Sequence, residues 1–261
     1  MKKQDIQRIH YNKISQEYVR TRLNPITKAY RDCLWEEFLK MISEEIPKKK
    51  KILCLDAMCG NAEASNRLTI LSSNIVFEAF DYSDEMVRIS MNDELVKDGR
   101  LKVKQMDILN LKVKERYDLV VLIGGIHHIY ESAQEVINKI YNSLKFNGIF
   151  VNFEPTNNLE IIGKIREFIY KRNSVFEENS EHDFRLGDYN KMITNVGFKI
   201  ESQFYPGLLG YVLFYNPDAF PLFLKIGSSS LVRCLCFLDI FFGKSFVGKC
   251  FSFNTFTISR K

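Results

Sequence analysis

Four acidic side chains stand at the ends of short apolar runs. Asp56 closes the run 52–55, Asp81 the run 75–80, Asp107 the run 101–106 and Glu154 the run 149–153. A fifth run, 117–123, ends at Ile123 and is followed by Gly124-Gly125 and the pair His127-His128. A carboxylate at such an end can accept hydrogen bonds from the neighbouring hydroxyls of a ribose, and it attracts a cation. Imidazole titrates near neutral pH and can take a proton from a reacting group. Two adjacent histidines cannot point the same way, so they divide between site and packing, with His128 ahead of His127. A metal would need further ligands. No CxxC and no Cys/His cluster of zinc spacing is present, so no metal is expected.

These groups need a scaffold that gathers strand ends. The chain supplies one after two amphipathic helices in its first fifty residues, which are broken at Asn24-Pro25 and followed by a solvated linker at Lys48–Lys51. Apolar runs then alternate with helical patterns: helices over 61–71, 83–95 and 132–144 lie between the strands 52–55, 75–80, 101–106, 117–123 and 149–153. Ser83 is placed to cap the second of these helices. This alternation means an α/β chain with a parallel sheet covered on both faces, and ligands lie beyond the carboxyl ends of such strands. Further on, helices are expected over 159–170 and 186–196, a polar loop over 173–183, and strands over 198–205 and 251–259. His182 and Glu181 in that loop read as solvated surface.

The segment Leu53-Cys54-Leu55-Asp56-Ala57-Met58-Cys59-Gly60-Asn61-Ala62 is a strand, an acid and a tight loop leading to a helix. It resembles motif I of the class I S-adenosylmethionine-dependent methyltransferases, of the form LDxGCGTG, with Gly60 at one of three small positions and Met58 and Ala62 at the others. The resemblance runs from about Tyr11 to Glu154 and resumes in the last strand pair. It implies a Rossmann-like seven-stranded sheet of order 3-2-1-4-5-7-6, strand 7 antiparallel, with S-adenosyl-L-methionine as cofactor. It further implies that Asp56, Met58 and Gly60 hold the methionine end and that Asp81 holds the ribose. Met106 and Asp107 would hold the adenine, with Tyr82 over its face. Ile123 and Gly124 would lie beside the sulfonium. His127, His128 and Glu154 would sit on the acceptor side, and Tyr18 would close over the cofactor, while Tyr11 is expected to pack on the sheet. The loop lacks GxGxxG, which argues against a pyrophosphate cofactor and an oxidoreductase. No Asn-Pro-Pro-aromatic motif follows the fourth strand, which argues against a nucleic-acid base amine as acceptor.

The resemblance points to the small-molecule enzymes of quinone and natural-product biosynthesis. The expected reaction is in-line methyl transfer to an oxygen of a small or lipid-like acceptor. Transfer to carbon or nitrogen of a quinone-like or specialised metabolite is one alternative, and a non-catalytic cofactor-binding or scaffold protein is another.

Composition sets outer bounds. The 261 residues carry a net charge of +5, too mild to argue for nucleic acid. The polar N-terminus, the six cysteines without metal spacing and the lack of a long charge-free apolar stretch make a reducing cytoplasm the expected compartment. Domain boundaries fall at 1–50 (helical lid), 51–205 (cofactor-binding core), 206–250 (insertion) and 251–261 (final core strand). The insertion has six charged residues, and twelve of the 21 Phe lie at or after Phe198. Three readings of it stay open: a lid over an apolar acceptor, a peripheral membrane contact, and a homodimer surface.

Overall fold

A computed structural model of the chain describes residues 3–49, 51–171, 182–215, 220–226 and 228–261. Glu181 and most of the expected polar loop lie outside the described residues. Helices α1 (Lys3–Arg22) and α2 (Pro25–Glu45) come first. Asn24 Oδ1 accepts from Ile26 N at 3.0 Å, and Pro25 opens α2, where its missing N–H costs nothing.

The core then runs β1 (Ile52–Ala57), α3 (Glu63–Leu68), β2 (Ile75–Asp81), α4 (Asp84–Ser90), α5 (Glu94–Lys97) and β3 (Leu101–Gln105). It continues with β4 (Tyr117–Ile123), α6 (Ala133–Ser143), β5 (Leu144–Asn157), α7 (Glu160–Tyr170), β6 (Phe184–Arg185), α8 (Leu186–Asn195) and β7 (Lys199–Phe204). A π turn (Tyr211–Tyr215), α9 (Pro221–Ile226), α10 (Ser229–Gly243) and α11 (Phe246–Phe251) precede β8 (Asn254–Arg260).

The sheet order is β3-β2-β1-β4-β5-β8-β7, with β8 antiparallel to both neighbours and the first five strands parallel. The expected order is present. The additional strand, β6, is a two-residue pairing of Phe184 and Arg185 with the end of β5. Because β1 lies between β2 and β4, the chain reverses its direction of winding there and opens a crevice above the strand ends.

Alternate residues of the central strands enter two cores. Cys54, Leu119 and Val121 pack with α2, α3 and the insertion, while Leu55, Val120 and Leu122 pack with α6 and α8. One expected helix, over 83–95, is broken in two. Ser83 Oγ caps α4 through Met86 N, and Asp93 Oδ1 starts a new helix by capping Leu95 N.

The insertion is helical and seated on α2. The inner stripe of α10 is Val232, Cys236, Asp239 and Gly243, all buried. Asp239 fastens three pieces of chain: its Oδ2 accepts from Tyr30 Oη at 2.6 Å and Tyr211 N at 2.9 Å, and its Oδ1 from Gly210 N at 3.3 Å. Cys33 of α2 and Cys236 of α10 form a disulfide with a Cα–Cα separation of 6.6 Å. The expectation of a reducing compartment did not anticipate this pairing. Among the described residues, no helix is long and apolar enough to cross a membrane.

Candidate active site

The loop after β1 sets the floor of the site. Met58, Gly60 and Ala62 have φ of 56°, 52° and 60°, so all three adopt the left-handed conformation. Two of them are not glycine, and each carries a cost of about 1–2 kcal/mol for that backbone. Met58 is held by packing: a Cβ on Gly125 would lie 3.0 Å from its Sδ, so the Met58 side chain fills the space an alanine would need there. A Cβ on Gly60 would meet no protein atom, because it would project into open cavity. Cys59 N donates to Phe80 O at 2.9 Å and Gly60 N to Asp81 Oδ2 at 2.8 Å, tying this loop to the end of β2.

Four acids line the cavity; Glu63 is paired with Arg31, and the other three are each in a different state of engagement. Asp56 is buried, and its Oδ2 accepts from Ser65 N and Ser65 Oγ at 3.0 and 2.7 Å. Burial pushes its carboxyl up to about 7, against the lowering effect of the Ser65 bonds, and the nearby charges of Asp81 and Glu63 add to the rise. Asp81 accepts from Gly60 N through Oδ2 at 2.8 Å and from Ser83 N through Oδ1 at 2.9 Å. Burial also raises Asp81, partly offset by these bonds and by His128. Asp107 Oδ1 caps Leu109 N at 2.9 Å, leaving Oδ2 for a ligand. Met106 and Ile108 flank it on the cavity wall. Tyr82 lies on the same wall, with its hydroxyl on Asp5 Oδ1 at 2.9 Å.

The opposite end is built on the segment after β4. Gly124 has φ of 69°, which favours glycine. Glu154 accepts from Gly125 N, Ile126 N and His127 N at 3.1, 2.9 and 3.3 Å, and from Asn152 Nδ2 at 3.2 Å. It also holds His127 Nδ1 at 2.7 Å. Burial alone would raise Glu154, but the hydrogen bonds and charge of His127 and the backbone N–H groups hold it below the usual range. It is buried and does not reach the cavity. Its expected place on the acceptor side is therefore corrected. Its oxygens are committed to five donors, so Glu154 shapes the loop and orients His127.

The rings of His127 and His128 lie 3.9 Å apart between centroids, tilted by 44°. His128 Nε2 is 3.3 Å from Tyr11 Oη, and Tyr11 meets Tyr18 edge-on at 5.5 Å. Tyr11 thus belongs to the cavity wall, where the sequence had suggested plain packing.

Every other residue nominated from the sequence lines this one cavity, including Tyr18, Ile123 and both histidines. Sequence reasoning missed Arg22, Arg31, Trp35, Tyr211 and Tyr215, which close its far side. Arg31 left a signal, a charged residue inside the apolar stripe of α2 between Tyr30 and Leu34. His182 stands outside the cavity against Tyr130, with ring centroids 5.1 Å apart. Among the described residues no group of His, Cys, Asp and Glu could hold a metal.

The donor set suits S-adenosylmethionine. Asp56 and Asp81 are buried acids that would suit its cationic end and its ribose, and open space lies over Gly60.

Comparison with known proteins agrees with this geometry. The family described as "Methyltransferase domain" matches residues 48–197. No curated protein matches the chain. Among solved structures, the fold is similar to the 4+2 cyclase SpnF at 14% identity and a TM-score of 0.58, covering 86% of this chain and 80% of that one. It is similar to a proposed sarcosine dimethylglycine methyltransferase from Galdieria sulphuraria at 14% identity and a TM-score of 0.60, covering 88% and 85%. An S-adenosylmethionine-dependent methyltransferase from Mesorhizobium loti aligns at 13% identity and a TM-score of 0.53, covering 85% and 96%. The match spans more than half of the chain: the chain belongs to the methyltransferase domain family and is an enzyme with S-adenosylmethionine as its methyl donor.

Proposed function

We propose that the protein methylates an oxygen of a small or lipid-like acceptor. The observation that carries this reading is the continuity of the cavity. Its acidic floor at Asp56 and Asp81 passes into a wall of Tyr18, Trp35, Phe153, Tyr211 and Tyr215. Bound S-adenosylmethionine supplies an electrophilic methyl group. The chain's own residues align the partners, and alignment alone is worth effective molarities of ~10⁵–10⁸ M. Ile123 and Gly124 form the passage between the two ends of the cavity. His128, braced by Tyr11, is the base for a protonated acceptor hydroxyl, and His127, fixed through Nδ1 by Glu154, is its neighbour in a tilted ring contact. Carbon or nitrogen acceptors would need the same alignment and a different demand on His128. SpnF, named a cyclase, shares the fold, so turnover has to be measured.

In this reading α1 and residues 211–215 form the lid, and the outside of α10 is a peripheral membrane contact. Phe237 and Phe241 are 65% and 60% exposed, and Leu231, Leu238 and Phe242 share their face. Lys225, Arg233 and Lys249 are exposed nearby, and the acid of α10, Asp239, is buried. A homodimer through this face is the competing outcome.

Calorimetry with S-adenosylhomocysteine tests the cofactor end: binding is expected, without competition from NADH. Turnover of labelled S-adenosylmethionine against fractionated lipid and metabolite extracts tests the acceptor. Label appearing only in nucleic acid or protein would overturn the small-acceptor reading.

A further inference from the structure

Cys33 is half-buried on α2, between two residues of the cavity wall, Arg31 and Trp35. Its disulfide partner, Cys236, is fully buried in the inner stripe of α10. One turn away on each helix the same seam carries a second tie, the 2.6 Å hydrogen bond from Tyr30 Oη to Asp239 Oδ2. Asp239 also accepts from Gly210 N and Tyr211 N, at the start of the turn that brings Tyr211 and Tyr215 to the cavity. The seam is tight there: a Cβ on Gly210 would lie 2.6 Å from Tyr30 Cε2 and 3.0 Å from Asp239 Oδ2. Tyr215 in turn lies under the Arg31 guanidinium, 4.6 Å from its ring centroid. The disulfide therefore joins the two elements whose side chains build the wall opposite the strand ends.

A chain of 261 residues buries enough surface to fold without a staple. Cys54, Cys59, Cys234 and Cys250 remain thiols, and Cys234 is exposed. Exposed thiols persist where the surroundings are kept reduced, and there a disulfide closes and opens with the redox poise. Two positions along a helix turn a side chain by about 200°, so Cys234 faces outward and does not replace Cys236.

We infer that Cys33 and Cys236 are a redox site that controls the wall at Tyr211 and Tyr215: paired, they clamp the insertion to α2, and as thiols they release it. This role rests on the reading of residues 211–215 as part of the lid and adds what governs it. A thiolate of a dithiol reductant attacks the sulfur of Cys33, the less buried cysteine, and the S–S bond breaks toward Cys236, which takes up a proton. The second thiolate of the reductant displaces Cys33 from the mixed disulfide. Two electrons and two protons leave the dithiol, which ends as a cyclic disulfide, and both cysteines end as thiols.

The test uses folded wild-type protein in dithiothreitol, in mixtures of reduced and oxidised glutathione, and untreated. The variant Cys33→Ser, checked for folding by circular dichroism and melting, stands for the permanently open form. Maleimide labelling with peptide mass mapping should find Cys33 and Cys236 blocked before reduction and labelled after it, in a proportion that follows the glutathione ratio. Trp35 is the one tryptophan, so acrylamide quenching of its emission reads the cavity wall, and reduction should steepen it. The bond closes a separation of 203 residues. Trypsin cleavage after the exposed Arg233 and Lys244 should therefore be about tenfold faster once it opens. Cys33→Ser should show both changes without reductant and ignore dithiothreitol. Cysteines that never pair, or a bond that glutathione leaves closed at every ratio, would overturn the proposal, because a structural staple resists that couple. So would a bond that opens while either the quenching or the cleavage stays the same. If S-adenosylhomocysteine fails to bind both forms in calorimetry, the reading of the cavity fails instead, and quenching and cleavage still judge the disulfide.

Discussion

Replacing Asp56 by Asn should make the empty protein more stable, and increasingly so as the pH rises. Asp56 has a folded value of about 7 against an ordinary 3.8, raised first by burial. A group raised in this way contributes its stability below its unfolded pKa and loses it as pH climbs through the folded pKa. Linkage with those two values gives a penalty of about 1.7 kcal/mol at pH 5 and about 4.3 kcal/mol at pH 8 for keeping the acid in place. Asn retains an acceptor for Ser65 N and Ser65 Oγ and does not titrate. Its own burial cost is constant with pH, so the difference between the two pH values isolates the proton. Urea unfolding of wild type and Asp56→Asn at pH 5 and pH 8, without ligand, should show the variant gaining about 2.6 kcal/mol more at the higher pH. The same variant should bind S-adenosylhomocysteine more weakly, because the attraction for its ammonium is gone. A stability difference that stays flat from pH 5 to pH 8 would refute the argument that this acid is held against its will.

Asp81→Ala should lower affinity for S-adenosylhomocysteine at least tenfold, since each charge-assisted hydrogen bond contributes about 1.5–3 kcal/mol; unchanged affinity by calorimetry would leave Asp81 as the tie between Gly60 N and Ser83 N. His128→Ala should reduce kcat far more than cofactor affinity and remove the acidic limb of the pH–rate profile, and full activity would move the base elsewhere or dispense with it. Replacing Phe237, Phe241 and Phe242 by Ser should abolish flotation with anionic vesicles and leave cofactor binding intact. Wild-type protein that does not float and sediments as a dimer dispersed by this change would favour the dimer surface.

The strand-end wall of the cavity was legible because its acids terminate apolar runs, and strand ends can be read from period and punctuation. Asp56, Asp81 and Asp107 each terminate an apolar run, and each lines the cavity. Glu154 obeys the same rule and still turns away, because three successive backbone N–H groups of the loop after β4 needed an acceptor more locally than any ligand did. The opposite wall was harder to read. Tyr211 and Tyr215 reach the cavity from an insertion whose pattern has no strand to anchor it, and their position depends on Asp239, a contact made across 209 residues to Tyr30. Asp239 is the one charge in the apolar stretch 234–242, and its partners lie on other elements. The break between α4 and α5 was missed for a local reason: Asp93 and Ser83 both cap well, and one apolar period ran through both helices.

The contact between Met58 and Gly125 has a bearing on how this sequence can drift. A Cβ at position 125 would lie 3.0 Å from Met58 Sδ, 3.3 Å from Met58 Cβ and 2.9 Å from Leu122 Cδ2. A side chain at position 125 therefore requires both the Met58 and the Leu122 side chains to give way. Position 58 is open to glycine at once, because its backbone is already in glycine's conformation. Glycine at 58 would relieve two of the three contacts and leave the Leu122 side chain to move before position 125 could take a side chain. The two loops on either side of the cavity thus restrain one another's residues through a single shared space.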